Sequence, residues 1–178
     1  MDKKSLRRDI RQAVSALNDK REQSEKICKK VIALPEFKGS SCVFIYISEE
    51  NEVDTRGIIR AIIDSGKRVC IPKIIGDGVM VAVPFDGVPT SLTDDKFGIP
   101  TVIGVPDVAR GEIDLCIAPG VAFDNEGRRL GRGGGFYDRF LAAYDGFKIG
   151  ICFKEQMVER IPVGEFDVMM DMVVSSVD

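Results

Sequence analysis

Cys42–Val43–Phe44–Ile45–Tyr46–Ile47 is an unbroken run of six apolar residues. Strands of this kind have both faces covered, as in parallel sheets lying between layers of helix. The polar stretch Ser48–Glu49–Glu50–Asn51–Glu52–Val53–Asp54–Thr55 follows, and then Ile58, Ile59, Ile62 and Ile63 recur at helical spacing until Gly66. Arg68 to Ile74 reads as a second strand, interrupted by Pro72. Strand, helix and strand in this succession form the unit of a right-handed parallel crossover. The unit decides the class: α/β, with a mostly parallel central sheet.

Downstream, Gly76–Asp77–Gly78 is a turn signal and Val79 to Phe85 a following strand. Residues 86–111 carry many Pro and Gly with little periodicity and read as a long surface excursion containing Phe97–Gly98–Ile99–Pro100, the kind of loop that serves as a binding element. Asp114–Ala118, Phe147–Phe153 and Met172–Val177 read as further strands. Phe136–Tyr144 reads as a helix with Phe136, Phe140, Leu141 and Tyr144 inward. Val158–Pro162 is a connector and Glu165–Phe166–Asp167 a loop.

Upstream, two helices are expected. Residues 2–18 place Leu6, Ile10, Ala13, Val14 and Leu17 on one stripe and Lys4, Arg7, Arg8 and Arg11 on another. That cationic stripe is either a solvated face or the wall of a polyanion site. Lys3 stands near the helix start, where the dipole does not favour a cation. Residues 24–34 carry Ile27, Val31 and Leu34, and Pro35 stops the helix. The whole chain, 1–178, is expected to be one domain with these helices packed on an α/β core.

Between the strand ending at Ala118 and the helix from Phe136 lies Gly131–Arg132–Gly133–Gly134–Gly135–Phe136–Tyr137–Asp138. Four glycines in five residues carry a large backbone-entropy cost. Glycine also lets consecutive amides converge on an anion, and a helix start strengthens the field. No Lys–Ser or Lys–Thr follows, and Phe136 stands where a dinucleotide fingerprint has its third glycine. The stretch is an anion nest or a tight structural turn, and Arg128, Arg129 and Arg132 favour the anion. Glu49, Glu50 and Glu52 follow the first strand at its carboxyl end, where open α/β sheets bind ligands.

A net charge of −3 argues against binding nucleic acid through phosphate neutralisation. No apolar run has membrane-spanning length, and Met1–Asp2–Lys3–Lys4 leads into a charged helix, so a cytoplasmic protein is expected. The five cysteines are widely spaced and read as small buried hydrophobes. The chain has no histidine, so chemistry must run on carboxylates, Lys, Arg, Tyr, backbone amides or a metal.

Three blocks closely resemble the 5-formyltetrahydrofolate cyclo-ligase family, also called 5,10-methenyltetrahydrofolate synthetase. They are Lys3–Lys4–Ser5–Leu6–Arg7; Pro119–Gly120–Val121–Ala122–Phe123–Asp124, continuing from Gly127 to Leu141; and Gly150–Ile151–Cys152–Phe153 through Gln156, Ile161–Pro162 and Asp167 to Asp171. The resemblance implies a three-layer sandwich like that of ribose-5-phosphate isomerase and CoA-transferases, with ATP and magnesium (Mg2+) as cofactors and 5-formyltetrahydrofolate as substrate. ATP-binding positions carry over to Lys3, Lys4, Ser5, Leu6 and Arg7 and to Arg129, Leu130, Gly131, Arg132, Gly133, Gly134, Gly135, Phe136 and Tyr137. Folate positions carry over to Arg7, Ile47, Glu52 and Tyr137, and metal positions to Asp138 and Asp167. Arg132, Lys3 and Tyr137 are the expected catalytic residues. Many members have His or Asn where this chain has Phe166, and Gly98–Val102 lacks the Glu–Pro that relatives often carry. A monomer or weak homodimer is expected, with neither nucleic acid nor membrane as partner.

Overall fold

The computed structural model describes residues 2–95 and 98–177. A six-stranded sheet lies between two unequal helical layers. Its strands are β1 (Cys42–Ile45), β2 (Arg68–Gly76), β3 (Val79–Phe85), β6 (Leu115–Ala118), β9 (Phe147–Cys152) and β10 (Met172–Ser175). Two short ladders stand apart from it: β4 (Thr93–Asp94) with β5 (Pro100–Thr101), and β7 (Ala122–Phe123) with β8 (Arg129–Leu130). The order across the main sheet is β10-β9-β6-β1-β2-β3, parallel throughout except for the β2–β3 hairpin. Renumbered among themselves in chain order, the six strands read 3-2-1-4-5-6, and the order reverses between β1 and β6. In open α/β sheets the crevice at such a reversal, beyond the carboxyl ends of the strands, is where ligands bind.

The two sheet faces differ in residue type. One presents Val43, Ile45, Val69, Ile71, Leu115, Ile117, Ile149 and Ile151 to four helices: α1 (Lys3–Ser15), α2 (Lys20–Ala33), α3 (Pro35–Gly39) and α4 (Arg56–Asp64). The other presents Cys42, Phe44, Cys70, Cys116, Ala118 and Cys152 to α5 (Phe136–Ala142). Successive strand residues alternate faces, so the cysteines fall together on one side, where their small size lets α5 approach. The Phe44 and Phe140 rings stack there at 4.7 Å. All five cysteines are free thiols, and only Cys28, in α2, is not fully buried.

Most expected elements form, with instructive shifts. Pro72 does not interrupt β2. It sits opposite Ala82, whose carbonyl accepts from Val108 on the far side of β3. That makes Pro72–Ala82 a non-hydrogen-bonded pair, so the proline nitrogen faces away from β3, past the end of the β1 pairing at Cys70. α1 ends at Ser15 rather than 18, because its last amides tighten onto Gln12 and Ala13. Leu6 and Val14 are buried as expected, but Ala13 is exposed. α2 begins at Lys20 rather than 24. The buried side chain anchoring its first turn is Gln23, bonded to Asp19, Glu155 and the Lys154 amide, so no hydrophobic period marks it. Pro35 ends α2 and also opens α3, where its missing N–H is harmless. Phe97 lies outside the described residues; around it, the excursion is pinned by Thr101, which is buried and donates to the Pro72 carbonyl at 2.9 Å.

Beyond β6 the chain is held by one carboxylate. Asp124 is fully buried and accepts from the amides of Glu126, Arg128 and Ile161 at 2.9–3.0 Å, and from the Arg128 guanidinium. Burial opposes its ionisation, but these donors outweigh it and hold the carboxyl below the usual carboxylate value. A depressed folded-state pKa means the unfolded chain binds the proton first. The stabilisation is therefore complete above the ordinary aspartate range and is lost as pH falls through the folded value. Asp124→Ala leaves three amides without their acceptor and Arg128 with Glu126 alone, and is expected to cost about 3 kcal/mol in urea unfolding at pH 7. Asp124→Asn is expected to flatten the loss of stability below pH 4, and an unchanged acid slope would contradict this assignment.

Candidate active site

Two cavities meet at the glycine loop, and the smaller of them opens at the carboxyl ends of β1 and β6. The smaller, about 130 Å³, is lined by Tyr46, Ile47, Glu49 and Glu52 after β1, by Ile74 and Met80 from the β2–β3 hairpin, by Ile99, and by Pro119, Arg132, Phe136 and Tyr137. The larger, about 640 Å³, is lined by Lys3 and Arg7 of α1, by Leu130 and Gly133, and by Phe166 and Asp167. Arg129, Gly131, Gly135 and Asp138 line both. These four residues form a common wall.

Local bonding builds each side of the crevice. After β1, Ser48 and Thr55 bond reciprocally, side-chain oxygen to backbone amide, and the Thr55 hydroxyl also donates to the Tyr46 carbonyl at 2.8 Å. This clamp projects a tight turn in which the Glu52 amide donates to the Glu49 carbonyl and the Glu49 amide to Glu52 Oε2. Glu52 therefore points inward, and burial pushes its carboxyl above the usual value although Arg132 pulls the other way. After β6, Gln156 Nε2 donates to the carbonyls of Gly120 and Val121, holding the Pro119–Gly120 corner.

The glycine loop runs between the cavities. Gly133 and Gly135 have φ of +111° and +69°, conformations that cost other residues strain. Arg7 Nε donates to the Gly131 carbonyl at 2.7 Å, which ties α1 to the loop. Gly135 caps α5 with no side chain bonded to its first amides.

Arg129 is the buried member of the common wall. Its side chain is 3% exposed, with Nη2 on Asp138 at 2.8 Å and Nη1 on the Pro119 carbonyl. The guanidinium lies 5.5 Å from the Tyr137 ring centre. Among the described residues its Nε has no partner, and neither does the buried Tyr137 hydroxyl. Burial raises that phenol well above its usual pKa, so it stays protonated and able to donate. Orphaned buried donors are rare and call for a ligand or water.

Lys3 pairs with Asp167, which also accepts from the Gly164 amide at 2.7 Å. Burial disfavours the Asp167 carboxylate, but Lys3 and that amide outweigh it and hold the pKa below the usual value. The cationic stripe of α1 thus divides: Arg7 faces the cavity with Lys3, whereas Lys4, Arg8 and Arg11 are exposed. Lys4 and Ser5 donate their amides to the Asp2 cap, and Leu6 packs with Val121, Leu130 and Ile161, so these three lie outside both cavities. Arg132 reaches the smaller cavity only, where Nη2 meets Glu49 at 2.7 Å and Glu52 at 2.8 Å. Gly134, Phe136 and Tyr137 also line the smaller cavity alone. Sequence reasoning gave Glu49 no separate role and missed Ile74 and Met80, whereas Ile99 belongs to the excursion read as a binding element. Only the hairpin turn at Gly76–Gly78 hinted that β2 and β3 reach the crevice. Phe166 stands 80% exposed at the larger cavity's rim.

A sequence model described as the 5-formyltetrahydrofolate cyclo-ligase family matches residues 1–176, and the chain belongs to that family. It is 38% identical over 170 residues to a probable 5-formyltetrahydrofolate cyclo-ligase of Schizosaccharomyces pombe, covering 86% of this chain and 83% of that one. Among solved structures it is similar to the 5,10-methenyltetrahydrofolate synthetase of Aquifex aeolicus, with TM-score 0.87, 32% identity, and 100% and 91% of the two chains covered. The corresponding Mycoplasma pneumoniae structure gives TM-score 0.81 at 25% identity, with 99% of each chain covered.

Asp138→Ala is expected to strand the Arg129 cation and to destabilise the fold by about 3 kcal/mol. Arg129→Met combined with Asp138→Leu should recover most of that loss. The check is chemical unfolding of both variants, and equal destabilisation by the pair would contradict a buried ion pair.

Proposed function

We propose that this protein catalyses the ATP-dependent cyclisation of 5-formyltetrahydrofolate to 5,10-methenyltetrahydrofolate, releasing ADP and phosphate. The observation that supports this most strongly is the common wall. A cation-rich cavity suited to phosphates and a smaller, mostly apolar cavity suited to a pterin meet at Arg129, Gly131, Gly135 and Asp138. A group transferred between their ligands would pass beside these four residues.

The formyl oxygen is a weak nucleophile and its carbon a weak electrophile. Bound in the smaller cavity, the formyl oxygen accepts the γ-phosphoryl across the wall, giving an iminium phosphate. The N10 lone pair then adds to the activated carbon, phosphate departs with the former formyl oxygen, and N10 loses its proton. Both reacting groups belong to one substrate, so proximity is already present. The protein's task is to stabilise charge spreading over the phosphoryl, with Arg129 at the wall, Lys3 and Arg7 opposite, and Arg132 from the loop. The neutral Tyr137 phenol has a proton to donate to a substrate oxygen, and Glu52 an acceptor for a pterin or N10 hydrogen.

Asp138 and Asp167 line the same cavity and offer hard oxygens, each beside a cation; this suits magnesium, which takes one or two carboxylates along with substrate phosphates. Among the described residues no group of three or more His, Cys, Asp or Glu clusters for a metal, so phosphate oxygens would complete the shell. Magnesium would supply electrostatic stabilisation of the transferring group. The same reading takes the protein as one domain, cytoplasmic, monomeric or weakly dimeric, without nucleic-acid or membrane partners. It also keeps the kinship with ribose-5-phosphate isomerase and CoA-transferases that the family resemblance implies. Among the described residues no helix is long and apolar enough to cross a membrane.

Purified protein with ATP, magnesium and 5-formyltetrahydrofolate is expected to form the methenyl product, followed by its absorbance, with ADP in equal amount. Absence of product at saturating substrates would sink the proposal. Arg132→Ala is expected to lower kcat by about 100-fold. Glu52→Ala is expected mainly to raise the folate KM, by about tenfold. Small, equal effects on both constants would contradict these roles.

A further inference from the structure

Arg132 is assigned to the phosphates by family resemblance, yet it does not line the larger cavity. Its Nη2 bridges Glu49 Oε2 at 2.7 Å and Glu52 Oε1 at 2.8 Å across the mouth of the smaller one. We propose that Glu49 is a positioning residue that parks Arg132 over the folate cavity until nucleotide phosphates draw it away. The proposal rests on the cyclo-ligase reading above.

The two carboxylates are not equivalent. Glu52 is 15% exposed and has a second tie, because its Oε2 accepts from the Glu49 amide and closes the turn. The Glu49 side chain is 46% exposed, and among the described residues Arg132 is its sole side-chain partner. Its carboxylate neither caps a helix nor supports the turn. The one thing it holds is the guanidinium. Arg132 in turn has a half-exposed side chain beside Gly133, where an added Cβ would meet nothing nearer than 3.8 Å; Gly131, Gly134 and Gly135 lie against the Arg129, Phe136 and Arg139 side chains, so it is the long arginine side chain that turns and not the loop backbone. A half-exposed ion pair is weak, whereas a phosphate offers a guanidinium two strong charged acceptors, so the exchange is favourable once nucleotide is present.

The exchange links the two cavities. When Arg132 leaves, Glu52 Oε1 is freed for an N–H donor of the pterin. Conversely, a pterin bonded to Glu52 weakens the hold on Arg132. By linkage each ligand then tightens the other by the same factor.

The test is calorimetric titration of a non-hydrolysable ATP analogue with magnesium into wild type and Glu49→Gln, with and without 5-formyltetrahydrofolate. In Glu49→Gln the analogue is expected to bind about threefold to tenfold more tightly than in wild type. The factor by which folate tightens analogue binding should shrink towards one. A merely structural Glu49 would weaken both ligands and lower Tm. Unchanged or weaker analogue binding by folded Glu49→Gln would overturn the proposal. Glu49→Asp, one methylene shorter, should shift affinity in the same direction and serves if the glutamine variant does not fold. Failure of wild type to bind the analogue at all would instead remove the cyclo-ligase reading and the parking role with it.

Discussion

The Arg129–Asp138 pair is the constraint on which the site depends. A guanidinium with a side chain 3% exposed is costly to bury, and one carboxylate, one carbonyl and an aromatic face are what make it tolerable. The partners come from two pieces of the fold: Tyr137 and Asp138 from the first turn of α5, and Pro119 from just past the end of β6. Joining them fixes the angle at which α5 leaves the glycine loop. It also fixes a positive charge where the two cavities touch. In the proposed reaction, with little water around it, that charge would act on a reacting phosphoryl more strongly than a surface arginine.

Everything else around the crevice feeds this arrangement. The strand order reverses between β1 and β6, so the segments after those strands diverge and leave an opening. Asp124 and Gln156 stiffen the chain behind the opening, and α1 closes its far side through Arg7 and Lys3. The chemistry needs no histidine, and the chain has none. The proposed activation by phosphoryl transfer asks for fixed positive charge and bound orientation, which arginines, lysine and glycine-loop amides would provide.

The fold was largely legible because its strands are unbroken apolar runs and its hairpin carries a Gly–Asp–Gly turn. The parts that were not legible have physical reasons. The first turn of α2 is anchored by buried Gln23, and a polar anchor leaves no hydrophobic period. Pro72 looked like an interruption because its tolerance depends on which neighbour strand has ended. The short β7–β8 ladder is a tertiary consequence of Asp124 bonding and has no run of its own. In the site, the family blocks led to Lys3, Arg129, Asp138 and Asp167, which the fold brings together. They could not show that Lys4, Ser5 and Leu6 turn away, since that depends on how α1 is rotated on the core. Nor could they show that Arg132 points at Glu49 and Glu52, because those residues are about eighty positions away.

The central claim is that the two cavities are the two halves of one reaction, joined at Arg129, Gly131, Gly135 and Asp138. The most direct test is a crystal structure of the protein with a non-hydrolysable ATP analogue, magnesium and 5-formyltetrahydrofolate together. The account predicts the triphosphate in the larger cavity, the pterin in the smaller, and the γ-phosphoryl about 3–3.5 Å from the formyl oxygen beside Arg129. A nucleotide seated elsewhere, or a γ-phosphoryl held too far from the formyl oxygen for transfer, would contradict it.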